Sequence, residues 1–173
     1  MRVRDLERML AEHGVGAAKV DAITRRLRDR GRLPIGGRGP NAPHIGPAEA
    51  SAILLAVAGS SKGAEADLRL EKLEGLGCIS AANNGVSLGE AVCELLRDPG
   101  GLTGLREVRV ARTRTAATIL FRDGKADEYA RRRPQGESER FYVEGVLPAA
   151  LLRKIAAALT EAPTAPARSE ELG

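Results

Sequence analysis

Residues 10–23, LAEHGVGAAKVDAI, carry the decision about this fold. Met9, Leu10, Val15, Val20 and Ile23 are spaced so that two short helices can pack across a tight turn. Gly14 falls where the first helix must end, and glycine adopts the left-handed backbone needed there without a steric penalty. Asp5 and Glu7 in the opening turn suit a helix over residues 3–13. A second helix is expected over 17–30, with Val20, Ile23 and Leu27 on one stripe and Gly31 as its stop.

Working outward, residues 31–47 read GRLPIGGRGPNAPHIGP, with five glycines and four prolines. That composition argues against a helix and favours a twisted hairpin or an ordered loop. Pro47 suits the first position of the helix AEASAILLAVAG, whose small apolar residues predict burial. A polar helix is expected over 63–74, and Ser87 is placed to cap LGEAVCELLRD, which ends at Pro99-Gly100-Gly101.

The character then changes. Residues 105–113 and 116–121 alternate as strands, through Val108 and Val110, then Thr118 and Leu120. Asp123-Gly124 is a two-residue hairpin signal that predicts antiparallel pairing of 117–122 with 125–130. Residues 131–139 read as a charged loop, 141–146 as a strand and 148–159 as a closing amphipathic helix. The expected fold is therefore α+β: an N-terminal helix-turn-helix with a wing or loop, a helical middle, and a C-terminal antiparallel sheet with a closing helix. The expected division is a head over 1–60, an oligomerisation or sensing region over 61–161, and a disordered tail over 162–173.

Charge is distributed unevenly. Residues 1–46 hold 10 Lys/Arg against 5 Asp/Glu, whereas 47–173 hold 17 against 18. A basic head on a nearly neutral body suits a polyanion. A helix-turn-helix commonly lays its second helix in the major groove of DNA, so duplex DNA is the expected partner. Aromatic residues are only 2% of the chain, which disfavours the stacking platforms of single-strand and RNA binders. Cys78 and Cys93 are too few for a disulfide scaffold and have no metal-ligand spacing with His13 or His44. No metal or other cofactor is expected, and a helix-capping role is expected for His13. Ser60-Ser61-Lys62 and the Ser87/Glu90 pair read as caps rather than catalytic groups, so the expectation is a protein that is not an enzyme. No signal peptide or membrane-length apolar run occurs, which predicts a cytoplasmic protein with no membrane contact.

The run Val20-x6-Leu27-x3-Gly31-Arg32-Leu33, followed by Gly37-Arg38-Gly39, resembles the end of the winged helix in gluconate-repressor (GntR-like) DNA-binding proteins. The resemblance covers residues 1–46 alone and implies a recognition helix followed by a wing. Pro34 departs from it, standing where the first wing strand should donate a hydrogen bond. So do Ala17, Ala18 and Ala22, since alanine cannot make the bidentate bonds that discriminate bases.

The expected DNA contacts are Lys19, Arg25, Arg26, Arg28 and Arg30 on the helix, Arg32 after it, and Arg38 between the wing glycines. Asp29 is expected to pair with Arg25. The expected function is a sequence-selective regulator of transcription acting as a homo-oligomer, with a dimer favoured. The alternative is a phage small terminase, the recognition subunit of DNA packaging. The second half bears a faint likeness to uncharacterised prophage proteins, which fits either reading.

Overall fold

The structure, a computed structural model, describes residues 1–36, 42–80, 85–130 and 143–161. The expected loop over 131–139, the tail over 162–173 and Arg38 lie outside the described residues. Among the described residues six helices and four strands follow in the order α1 (Val3–Glu12), α2 (Ala17–Asp29), α3 (Pro47–Gly59), α4 (Ala66–Glu74), α5 (Leu88–Arg97), β1 (Leu105–Ala111), β2 (Ala116–Phe121), β3 (Ala126–Ala130), β4 (Glu144–Pro148) and α6 (Ala149–Thr160). The architecture is α+β with a closing helix, as the pattern predicted. A single turn of 3-10 helix at Gly63–Glu65 precedes α4.

The expected helical pair forms. Val3, Leu6, Met9 and Leu10 of α1 are buried, as are Val20, Ile23, Thr24 and Leu27 of α2. Thr24 Oγ1 crosses the seam to donate to Glu7 Oε1 at 3.0 Å. Gly14 takes φ +82°, and the Val15 amide returns to Leu10 O at 3.0 Å. His13 caps α1, with its Nδ1 2.9 Å from Met9 O. At the far end Gly31 takes φ +68° and the Arg32 amide donates to Leu27 O at 2.9 Å, a Schellman exit from α2.

Helix α3 lies at the centre. Every residue from Ala50 to Gly59 is buried, so the helix has no solvent face and must have neighbours all round. It packs against α2, α4 and α5 on the helical side and against β1 and β4 on the sheet side. Its carbonyl end carries no basic residue of its own. Cations from three other elements serve it instead: Lys19 Nζ donates to Val57 O at 2.9 Å, Arg112 Nε to Ala58 O at 2.9 Å, and Arg69 Nε to Gly59 O at 3.2 Å. Hydrogen bonds to these orphan carbonyls, with positive charge at the negative end of the dipole, fix the orientation of α3.

The sheet is antiparallel throughout, in the order β3-β2-β1-β4. The Asp123-Gly124 turn joins β2 to β3 as expected, with Gly124 at φ +87° and the Phe121 amide donating to Lys125 O at 2.9 Å. One expectation changes phase. Val108 pairs with Ile119 and Val110 with Ala117, so the buried residues of β2 are Ala117 and Ile119, while Thr118 and Leu120 lie on the other face. The last strand, expected over 141–146, is seen as Glu144–Pro148; Phe141 and Tyr142 lie outside the described residues. The outer edge of β3 is covered: Ile79 donates to Glu128 O at 2.8 Å and Ala130 to Gly77 O at 3.3 Å.

The buried apolar residues form a cluster that runs from Met1 through α3 to Ala156. The core therefore crosses residue 60 without a break, because α3 contributes to both sides of it. Among the described residues no helix is long and apolar enough to cross a membrane.

Candidate nucleic-acid interface

On α2 the buried stripe faces α1 and α3, leaving Ala18, Asp21, Ala22, Arg25 and Asp29 exposed and Arg28 half-buried. The 3-10 turn comes close to this exposed side. A Cβ built on Gly63 would stand 2.7 Å from Ala22 Cβ, so the two small residues allow an approach that larger ones would block. The alanine at position 22 thus has a packing reason independent of base reading.

The cations of α2 and its exit divide into two groups. Arg26 Nε donates to Asp67 Oδ1 at 3.0 Å, and Arg30 Nε lies 2.9 Å from Asp67 Oδ2. Arg32 pairs with Glu74, also on α4. Lys19 is turned into the body, onto Val57 O. Those four engage the rest of the fold. Arg25 and Arg28 form the second group, with no side-chain partner outside α2 among the described residues. Arg25 pairs with Asp21 at 2.6 Å, not with Asp29 as the spacing had suggested; both side chains of that pair are largely exposed, so water screens it. Arg28 has no ion pair among the described residues.

The electrostatics follow the same division. The hydrogen bond from Arg26 holds the Asp67 carboxyl below its usual range. Burial lowers the Lys19 ammonium, and the charge of Arg112 beside it adds to the effect. Burial pushes the Cys93 thiol up, away from the thiolate that a nucleophile needs. Among the described residues no group of three His, Cys, Asp or Glu could hold a metal ion.

The segment after α2 forms no strand among its described residues. Leu33 and Ile45 are buried, His44 makes an isolated antiparallel bridge with Arg2, and the Ile45 amide donates to Met1 O at 2.9 Å. The two sides meet at the base: a Cβ on Gly36 would lie 3.5 Å from Pro43 Cδ. The chain therefore leaves and returns at one place. Beside that base Ile35 is 82% exposed, the most exposed large apolar residue described. Ile35 was not a candidate from sequence, where a single isoleucine between Pro34 and Gly36 reads as a loop anchor.

No protein-family model, curated protein or solved structure matches the chain.

Proposed function

We propose that the protein binds duplex DNA as an oligomer and acts as a regulator of transcription. The single observation that carries this reading is the closed base at Gly36 and Pro43, with Ile35 exposed beside it and Arg38 in the segment it closes. An apolar wedge next to a cation is a pairing that minor-groove binders use, the wedge to part a base step and the cation to meet the negative potential. Arg25 and Arg28 then meet the phosphates, and the positive excess of residues 1–46 supplies the long-range attraction. Arg26, Arg30, Arg32 and Lys19 contribute mainly through the fold in this reading, because each already has a partner there. The GntR-like resemblance supports the same assignment of α2 and the segment after it.

Few side chains in this arrangement can discriminate bases, so one copy would bind with little selectivity. A dimer on paired half-sites remedies that.

The test is selection of bound fragments from a randomised duplex pool at near-physiological salt. A two-fold symmetric motif is the expected outcome. Ile35→Ser and the pair Arg25→Ala with Arg28→Ala should each weaken binding while the circular-dichroism spectrum stays unchanged. Arg38→Ala should weaken it chiefly on AT-rich sites. Absence of any bound duplex would overturn the reading.

A further inference from the structure

A cavity of about 270 Å³ opens between the α1–α2 turn, the carbonyl end of α3 and strand β4. Leu10, Val15, Leu147 and Leu151 supply its apolar wall, and Lys19 and Arg112 its charge. No aspartate or glutamate among the described residues lines it.

The two cations are brought together by consecutive carbonyls, Val57 O for Lys19 and Ala58 O for Arg112, each at 2.9 Å. Each donation uses one N–H. An ammonium has three and a guanidinium five. The remaining side-chain donors of both residues have no acceptor among the described residues. Two like charges held side by side in a partly enclosed space repel, and the lowered proton affinity of Lys19 registers its burial first and that repulsion second.

We propose that this cavity is a binding site for a small organic carboxylate, whose oxygens bridge Lys19 and Arg112 and whose short apolar chain lies over Val15, Leu147 and Leu151. A cavity of this size, partly open at its mouth, suits a short ligand. A carboxylate supplies the charge that the lining lacks and accepts the idle donors, and the apolar wall excludes water from those bonds. The site does not depend on the DNA reading, because none of its groups needs to touch nucleic acid.

The experiment is calorimetric titration of the full chain with sodium pentanoate, with acetate and inorganic phosphate as comparison probes. Saturable binding of pentanoate, weaker binding of acetate and weaker binding of phosphate are expected. Lys19→Met or Arg112→Met should each reduce pentanoate affinity by about tenfold or more. Both residues also hold the end of α3, so a third variant guards against simple unfolding. A Cβ at Gly16 meets nothing within 4 Å, and aspartate is a favoured N-cap there. Gly16→Asp should therefore fold at least as stably as the parent, yet weaken pentanoate binding because a carboxylate on the cavity lining repels that of the ligand. Failure of pentanoate to saturate, or unchanged affinity in Gly16→Asp, would overturn the proposal. Preference for phosphate over pentanoate would also overturn it, and would make the cavity a phosphate contact instead.

Discussion

Arg26 donates its Nε–H to Oδ1 of Asp67 at 3.0 Å, across the seam between α2 and α4. The other oxygen of the same carboxylate receives Arg30 at 2.9 Å. One acidic side chain thus engages two arginines on a helix expected to meet DNA. Substituting Asp67→Asn keeps the size of the side chain and removes its charge. If the inner flank of α2 lies near phosphates, the released arginines should raise duplex affinity, and the slope of log affinity against log salt should steepen by about two. Titration at several salt concentrations measures both. An unchanged slope would mean that Arg26 and Arg30 stay out of reach of the phosphates even when released.

Asp67 also sets an acid limit on stability. Its carboxyl is held below the ordinary 3.8, first by the hydrogen bond from Arg26. A carboxyl depressed in the fold stabilises the protein above its unfolded value, and that contribution disappears as pH falls through the folded value. Thermal midpoints of the parent and Asp67→Asn should therefore differ at neutral pH and converge below 3.8. A gap that persists in strong acid would mean that the bond has a role beyond charge.

Lys19 behaves in the opposite sense. Its ammonium is held below the ordinary 10.5 by burial first and by Arg112 second. Between the folded value and 10.5 the unfolded chain carries more protons, so stability gains from this residue as pH rises through that window. The parent should gain on Lys19→Met as melts are taken toward 10.5. A constant difference between them would show that Lys19 is not desolvated.

Gly145 lies against the end of α3 with no room for a side chain. A Cβ there would fall 2.1 Å from Ala58 O and 2.7 Å from Ala58 C, both backbone atoms that no rotamer change can move. Gly145→Ala should cost about 3 kcal/mol, toward the upper end for overpacking. Thermal denaturation should register it as a fall of roughly 10 °C. A midpoint within experimental error of the parent would mean that β4 and α3 can separate.

Much of this fold was legible because its signals are local. Ser87 accepts from the Glu90 amide at 3.3 Å while Glu90 reaches back to the Ser87 amide at 2.9 Å, a capping box read from residues three apart. Gly14, Gly31, Pro47 and Asp123-Gly124 likewise mark their turns and helix ends through backbone preferences that need no distant partner. The phase of β2 was not legible, since a small Ala117 and a polar Thr118 give weak contrast, and only the register with β1 assigns the buried face.

The candidate site was harder for the same reason. Lys19 and Arg26 find their partners 38 and 41 residues away, so a helical projection from sequence could sort their directions but not what waits there. Ala22 read only as a poor base reader, and its packing role was hidden because its neighbour, Gly63, lies beyond the reach of any local pattern. Gly145 gave no sequence signal at all, since a glycine before Val146 reads simply as a weak strand residue.

The placement of α3 bears on how this molecule can change over evolutionary time. Helical readers are often exchanged between proteins as cassettes, which requires that each cassette keep a core of its own. Here the helix that supports α2 is also the floor on which β1 and β4 rest, and its carbonyl end is held by α2, α4 and the exit of β1 together. Cutting the chain at the natural-looking seam after Gly59 would strip that helix of four of the five elements packed against it and expose a broad apolar flank. A lineage carrying this arrangement must diversify by altering surface residues in place, not by trading its N-terminal part for another.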